Sequence, residues 1–497
     1  MRPRVSPRFL LGVLLSVLPL PRTATADDPK ADVAEGKKLL AEGDALADKG
    51  ETTEAVIRYK QAFERLLPGM RKIPFKREVK RDVTAREDMK AMLIKEIDSE
   101  MTPAEFRANE LGMKALGLLP GDLDLKETMV RVYAEEIAAF YDTKTETMHL
   151  IKEPEAKTKK RPSFLERLLG KTEGFNKEEN KTVIAHELTH ALADQNFDID
   201  AMQKAIKGDD DRDLALSGLI EGEATLTMIG AQMNDWDGSQ IAKVPAADLD
   251  RVFSLLGPLM PLASGASLRE APPILSETLI FPYLRGLVFC AKLTNDGGWK
   301  ALDAAYRQPP LSTEQILHPE KYRAQPDPPM ALDLGELDAG EGWKELGRNV
   351  VGEMQLAVLL RRHGGKPAAA GWDGDRYAVF EGSEGKLGLA WLSTWDSEED
   401  AREFAKGYAR FQSGKLGSET PPLDEVPDTL RRSPKEKDTV FLVERRGKDV
   451  AVVEGFLAKA TDTLLAAAFL AKRTEMTHKP TTDPKPAEEE PKPDVGR

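Results

Sequence analysis

The chain has 497 residues, 41% of them hydrophobic, a formal net charge of −13 and a single cysteine. This length can support more than one hydrophobic core, so two or three domains are expected. The net negative charge argues against a nucleic-acid partner and favours a soluble protein. The lone cysteine, Cys290, excludes an intrachain disulfide, and its apolar helical surroundings predict a buried packing residue.

The first 26 residues have the composition of an export signal. Basic residues 1–8 precede a mostly apolar core at 9–20 and a small-x-small cleavage site, A-T-A, at 24–26. The core is too short to span a bilayer, and even the later apolar run 279–293 contains positive charges. We therefore predict cleavage after Ala26 and a secreted or periplasmic protein with no integral membrane segment.

Residues 27–75 show the pattern of a helical hairpin. Apolar residues recur at helical spacing on both sides of a Lys-Gly-Glu turn at 49–51. Because a lone helical repeat cannot bury its own apolar face, we expect the hairpin to dock on the body of the protein or to cap its entrance. The segment resembles one tetratricopeptide-type (TPR) repeat, with these residues in matching places: Gly43, Ala55, Tyr59 and Ala62.

The next part of the chain combines helical patterns with one alternating segment. Amphipathic helical patterns occur between 77 and 117 and again from 124 to 140. Residues 140–151 alternate around central turn residues, which predicts a β-hairpin. His149 on this hairpin is expected to be a surface or cleft residue, not a metal ligand. Residues 152–178 are rich in Lys, Pro and Glu and predict a mobile insertion or flap.

The main chemical signal is H-E-x-x-H at 186–190, inside an apolar run that predicts a helix over about 177–195. Residues four apart on a helix share a face, so His186 and His190 can present both imidazoles to one metal ion. Glu187 points to the adjacent side, where it can take a proton from a metal-bound water. Zinc fits best, because imidazole and carboxylate ligands with one open position suit its catalytic mode. The alternative is a pair of ordinary surface histidines.

A third ligand is expected on a second helical run, at about 214–233, which contains E-G-E-A at 221–224. Acids inside an apolar stretch are costly to bury unless they are paired or bind a cation. Here the chain resembles the gluzincin metallopeptidases, in which a Glu in E-G-x-A or E-x-x-A on a later helix completes H-E-x-x-H. Both patterns align on Glu221, so the resemblance implies Glu221 as the ligand of one zinc ion per chain. Glu223 is the alternative ligand, and two solvent-facing acids are the non-functional alternative.

Further site residues are predicted from position and from the same resemblance. Asp194 lies one helical turn past His190 and is a candidate to hold the free N–H of a metal-binding imidazole. Gluzincin sites usually contain a His or Tyr that donates to the oxyanion. The candidate for this donor is His318, which lies at the end of a short helix that should stop before Pro319. Its alternative is a structural role, in which it caps backbone carbonyl groups. Three tyrosines are alternative donors: Tyr141, Tyr283 and Tyr322.

The composition shifts after the Pro-rich residues 325–329, where we place a domain boundary, and residues 345–475 predict a second, smaller domain. Alternating segments predict paired strands, and two helical patterns lie among them, which indicates a small α+β sandwich of ferredoxin-like type. This sequence offers no ligand set or nucleophile arrangement, so a structural role is the default. Residues 476–497 are mostly Pro, Lys, Thr and acids and are predicted to be disordered.

The resemblance implies an exported zinc peptidase that acts on protein or peptide substrates, with Glu187 as general base and His318 as oxyanion donor. Two alternatives stay open: a non-catalytic, zinc-stabilised binding or scaffold protein, and a metal-dependent amidase that acts on cell-wall material. The predicted fold is α+β, with a mostly helical zincin-like core and a β-hairpin edge. Its parts are the signal peptide (1–26), the TPR-like hairpin (27–75), the metallopeptidase domain (76–330), the C-terminal sandwich (345–475) and the tail (476–497).

Overall fold

The computed structural model describes residues 29–137, 139–152, 176–256, 266–363, 367–418, 426–433 and 438–478. Three sequence predictions lie wholly or mainly outside these residues: the signal peptide with its cleavage site, residues 153–175 of the predicted insertion, and residues 479–497 of the predicted tail. Within the described residues the protein mixes helices and strands, so the α+β class is confirmed.

The N-terminal segment is a helical hairpin, as predicted. Helices α1 (Pro29–Asp48) and α2 (Thr52–Arg71) are joined by a tight turn and pack closely along their length. Gly43 allows this approach, because a Cβ atom there would lie 2.5 Å from the ring of Tyr59. The inner face of α2 is buried against the body of the protein. The hairpin therefore shares the main hydrophobic core and is docked on it.

A small three-stranded sheet follows the hairpin. Strands β2 (Ala139–Asp142) and β3 (Thr147–Lys152) form the predicted antiparallel hairpin, and β1 (Lys80–Ala85) pairs with β3 in parallel. The order β1-β3-β2 leaves β2 at one edge. The prediction of helical structure between residues 77 and 117 is wrong at β1, because this charged segment becomes a strand through pairing with the distant strand β3. Three helices lie between β1 and β2 in the chain: α3 (Arg86–Glu100), α4 (Pro103–Leu116) and α5 (Leu125–Glu136). Of these, α3 packs against β1 and β3, and α4 packs against the C-terminal part of the protein.

The centre of the molecule is helical. Two helices carry the predicted metal ligands: α6 (Lys177–Phe197) and α8 (Asp210–Gln232). The remaining helices are α7 (Ile199–Ala205), α9 (Ala246–Leu256), α10 (Ala266–Glu270), α11 (Pro273–Gly297), α12 (Trp299–Arg307), α13 (Thr313–Leu317) and α14 (Pro319–Tyr322), with a 3-10 turn at Ile241–Lys243.

Helix α11 is the most apolar long helix of the described chain. By length and composition alone it could cross a membrane, but 61% of its most apolar window is buried inside the protein. It packs against α8 along most of its length. The predicted buried helix around residues 278–289 is thereby confirmed, and Cys290 on it is fully buried, as expected.

The C-terminal part is built on a six-stranded antiparallel sheet. Its strands, in spatial order, are β5 (Lys344–Asn349), β6 (Trp372–Glu381), β7 (Leu387–Trp395), β10 (Asp449–Leu457), β9 (Thr439–Arg446) and β8 (Thr429–Arg432). The other elements are β4 (Met330–Asp333), α15 (Gly352–Leu359), α16 (Glu398–Lys415), α17 (Ala458–Phe469) and β11 (Lys472–Glu475), with a 3-10 turn at Ser383–Gly385. Helix α16 covers one face of the sheet and α17 the other, so the arrangement has three layers, and the predicted ferredoxin-like sandwich is corrected.

The C-terminal sheet is not independent of the helical part. Strand β4, which begins directly after the predicted boundary at 325–329, pairs with β11. Leu116, Leu119 and Leu125, from the predicted main domain, belong to the same apolar cluster as Trp391 and Phe404 of the sheet unit. The sequence boundary marks a change of secondary structure, and the hydrophobic core continues across it.

Candidate metal centre

The motif helix α6 forms because its sequence meets the local requirements of a helix. The Asn176 side chain caps its first turn by accepting hydrogen bonds from the backbone N–H groups of Glu178 and Glu179, at 2.9 and 3.4 Å. No Gly or Pro interrupts the helix, and it ends at Asp198, which adopts the left-handed conformation. Its central turns are almost entirely buried, which gives the two histidines a rigid support.

The second ligand helix, α8, is held by an unusually close crossing with α11. A Cβ atom on Gly222 would lie 2.2 Å from the backbone of Gly286, and a Cβ on Gly286 would lie 2.0 Å from the carbonyl oxygen of Gly218. Only glycine allows backbones this close. The Gly of E-G-E-A therefore has a packing role: it lets α8 approach α11 directly beside Glu221.

These two helices bring three of the predicted residues together. The Nε2 atoms of His186 and His190 lie 3.1 Å apart, and Oε2 of Glu221 lies 3.1 Å from the first and 3.5 Å from the second. Their side chains are 3%, 12% and 23% exposed, respectively, so the group is buried with one partly open side. The predicted ligand set thus converges at one point.

The spacing of the three atoms fits a zinc ion. With zinc–ligand bonds of about 2.0–2.1 Å, two ligands of a tetrahedral site lie about 3.3 Å apart. The three observed separations lie around this value. Two imidazoles and one carboxylate are also a donor set typical of catalytic zinc, in which the fourth position is left for water or substrate. The separations of the donor atoms of His186, His190 and Glu221 are therefore compatible with a single zinc ion.

The electrostatics of the group also favour a cation. Burial opposes ionisation of Glu221, but the charges and hydrogen bonds of His190 and His186 outweigh it and lower its pKa. Burial likewise lowers the pKa of His190, but the Glu221 carboxylate raises it, to about 9. The negative charge of Glu221 thus favours a proton on His190, and a metal ion that binds at this place would displace that proton.

Glu187 lies beside the three converging residues but is not one of them. Burial raises its pKa, and the neighbouring His186 and His190 and a backbone hydrogen bond from Tyr141 oppose that rise. Its residue exposure is only 6%. A carboxyl group with a raised pKa next to a metal centre suits reversible proton transfer better than metal ligation.

The structure places Tyr283, not His318, at the centre. The Tyr283 ring stacks on His186 with the ring centroids 6.0 Å apart, and burial, with the neighbouring Glu221 and Glu187 carboxylates, raises the pKa of its hydroxyl. Nε2 of His318 instead lies 3.0 Å from a carboxylate oxygen of Glu353. This contact is consistent with the alternative prediction, in which His318 is a structural residue. Tyr322 donates to the Gln308 carbonyl. The sequence identifies Tyr283 only as one of three alternative tyrosine donors.

Asp194 has partners other than the imidazoles. Its carboxylate accepts hydrogen bonds from the Tyr141 hydroxyl and the Ile199 backbone N–H, both at 3.0 Å. Nδ1 of His186 is buried and, within the described part of the chain, has no hydrogen-bond partner. The expectation that Asp194 orients a metal-binding imidazole is therefore not met: it joins α6 to strand β2 and to the start of α7.

Two other candidates also have different partners. Glu223, the alternative third ligand, is 1% exposed and binds Arg71 and the Tyr306 hydroxyl. His149 on the sheet stacks on Phe140, and its Nδ1 atom lies 3.3 Å from the Thr84 hydroxyl. It was expected at the surface or lining a cleft; it is 9% exposed and lies outside the converging group. Glu221 is thus the carboxylate that completes the group.

A second cluster of carboxylates is already neutralised by lysine. Glu314, Asp327 and Asp396 have oxygen atoms close enough to share a cation. The ammonium group of Lys321 lies among them, at 2.7, 2.9 and 2.5 Å, respectively. We therefore interpret this cluster as a salt-bridge network and not as a metal site.

Gly286→Ala tests the helix crossing. The added methyl group would overlap the Gly218 carbonyl, so α8 and α11 must separate, at a cost of about 1–3 kcal/mol or more. We expect a lower melting temperature and weaker zinc binding, measured by thermal unfolding and chelator competition. Gly414→Ala in α16 is the matched control: it meets no atom within 4 Å and should leave stability and zinc affinity unchanged or slightly improved. Equal behaviour of the two variants would show that the close crossing does not support the centre.

Comparison with known proteins finds a family match in the C-terminal part of the chain. Residues 341–465 match a family described as Domain of unknown function (DUF8575). This match covers all six strands of the sheet, α15, α16 and most of α17, and it lies outside α6 and α8. No curated protein and no solved structure shows significant similarity to the chain.

Proposed function

We propose that this protein is an exported zinc-dependent peptidase. The observation that carries the proposal is the convergence of His186, His190 and Glu221 at tetrahedral spacing, with the buried carboxyl group of Glu187 beside them. A purely structural zinc site has no use for that additional carboxylate. Export is inferred from the composition of residues 1–26.

Zinc, when bound, supplies a Lewis acid that polarises the scissile carbonyl and lowers the pKa of water. The residues of the chain move the protons. Glu187 accepts a proton from the attacking water and passes it to the leaving amine, acting as base and then as acid. The Tyr283 hydroxyl donates a hydrogen bond to the oxyanion, and its position next to Glu221 is suitable for this role.

The edge strand β2 is the proposed binding place for extended substrate. It packs against α6, and the Tyr141 backbone on it contacts Glu187. An edge strand offers unpaired backbone N–H and C=O groups that can pair with a peptide. A substrate aligned along β2 would therefore present its backbone to the catalytic carboxyl group. The same geometry supports a zincin-like core, with the TPR-like hairpin docked behind α6.

The proposal is tested by metal analysis and by digestion of a peptide library. Purified protein is expected to contain one zinc ion per chain, to cleave peptides, to lose cleavage after chelation and to regain it when zinc is added. A zinc-loaded protein that cleaves no peptide or protein would favour the binding or scaffold alternative. Cleavage of cell-wall amides but not of peptides would favour the amidase alternative.

Tyr283→Phe separates the two candidate oxyanion donors. Loss of one donor to the oxyanion typically lowers kcat by about 10²–10³-fold. We expect a decrease in this range for Tyr283→Phe, with KM and zinc content nearly unchanged, in steady-state assays on a cleaved library peptide. His318→Ala should leave kcat within a few-fold, because His318 pairs with Glu353. The reverse pattern would restore His318 as the donor.

A further inference from the structure

A buried ionic network ties the N-terminal hairpin to the helix that carries Glu221. Arg71, the last residue of α2, is 0% exposed, and its Nε atom donates to Glu223 of α8. Its Nη1 atom lies 2.7 Å from Asp303, and its guanidinium group lies 5.3 Å from the centre of the Trp299 ring. The second oxygen of Glu223 accepts a hydrogen bond from Tyr306. One guanidinium group therefore links α2, α8 and α12.

The position of Glu223 on α8 makes this network relevant to the metal centre. Residues two apart on a helix point about 200° away from each other. Glu221 therefore faces the imidazoles of α6, while Glu223 faces Arg71 on the opposite side. Between them, Gly222 contacts the backbone of α11. Rotation or sliding of α8 would break the ion pair and move the ligand at the same time.

We propose that Arg71 is a positioning residue for the metal centre: it holds Glu223 and thereby fixes the rotation of α8 that presents Glu221 to His186 and His190. This role rests on the proposed metal site. Sequence separation explains why no motif reveals it, since Arg71 and Glu223 are 152 residues apart. The hairpin then belongs to the unit that builds the centre.

The competing explanation is that Arg71 only stabilises the fold. This explanation must be tested, because Arg71 and Glu223 are buried charges. Removing one partner of a buried ion pair leaves an uncompensated charge, which destabilises a protein wherever the pair lies. A test must therefore report the geometry of the ligands and not only stability. The visible spectrum of bound Co²⁺ has this property, because its bands depend on the ligands and on their arrangement around the ion.

The experiment uses the full-length protein with Co²⁺ in place of zinc, together with chelator competition for zinc. Glu223→Gln preserves shape but removes the charge that Arg71 binds, and Arg71→Met removes the other partner. We expect changed Co²⁺ bands and about tenfold weaker zinc binding in both variants. Arg71→Lys keeps the charge and should restore much of the wild-type spectrum. Tyr59→Phe is the control: it removes a hairpin hydrogen bond to Asp44 without touching the network.

The outcomes separate this inference from the proposed function. Altered spectra in Glu223→Gln and Arg71→Met, with wild-type spectra in Tyr59→Phe, support positioning. Wild-type spectra and zinc affinity in all variants, with only lower melting temperatures, overturn the inference and leave the peptidase proposal intact. If Arg71→Met does not fold, the isosteric Glu223→Gln decides between these two results. A wild-type protein that binds neither Co²⁺ nor zinc would overturn the metal centre itself.

Discussion

Glu187→Gln is expected to bind one zinc ion per chain, as the wild type does, and to lose peptide cleavage. The amide has nearly the shape of the carboxyl group, and Glu187 is not one of the three converging ligands. The amide of the variant, however, cannot accept a proton from water. General acid–base catalysis by one group typically contributes about 10²–10⁴-fold to the rate. We expect a decrease of at least this size in kcat/KM, measured on a peptide that the wild type cleaves.

Glu178→Gln is the matched control for this substitution. It makes the same chemical change on the same helix, but the Glu178 side chain is 78% exposed and its partner is Lys181. Activity and zinc content should equal those of the wild type. If the Glu187→Gln variant cleaves the peptide as fast as the wild type, Glu187 has no part in the mechanism. If this variant instead lacks zinc, the Glu187 carboxyl group supports metal binding.

His190→Ala is expected to abolish metal binding and, with it, activity. Two ligands would remain, His186 and Glu221, and the buried Glu221 carboxylate would lose the group that most lowers its pKa. Changes in residues that merely support a ligand already cost about 10–100-fold in affinity, so loss of a ligand should cost more. Elemental analysis and competition with a chelator measure this effect directly.

Thermal unfolding provides an independent measurement of the same change. Zinc bound to the native state at 1,000 times its Kd would contribute about 4 kcal/mol to stability. A chelator should therefore lower the melting temperature of the wild type and leave that of His190→Ala unchanged. His149→Ala is the control, because His149 lies on the sheet beside Phe140. A full complement of zinc in His190→Ala would contradict the proposed ligand set.

Much of the motif helix could be predicted because its signals are local. The spacing of His186 and His190, the apolar run around them and the absence of Gly and Pro are properties of about twenty consecutive residues. The same holds for the N-terminal hairpin and for the β2–β3 hairpin. Each forms through neighbouring residues, so periodicity and turn residues are sufficient to predict it.

Predictions that depended on distant contacts were less successful. Strand β1 was missed, since it exists through parallel pairing with β3. Asp194 has the right helical spacing for His190, but it binds Tyr141 because β2 packs on that side of α6. The sequence favoured His318 over Tyr283 as the oxyanion donor, because the position of Tyr283 depends on where α11 crosses α8. The sequence has no signal for that crossing beyond its glycines.

The sequence by itself determined the helix that carries H-E-x-x-H, the α+β class and, through the resemblance in E-G-E-A, the identity of the candidate third ligand. Only the tertiary structure decided that Glu221 faces the imidazoles while Glu223 is buried against Arg71. The reason is physical: the sequence sets the angle between the two carboxylates around α8, but not which of them turns toward α6. That choice depends on the backbone contact at Gly222 and on a guanidinium group from the far end of the N-terminal hairpin.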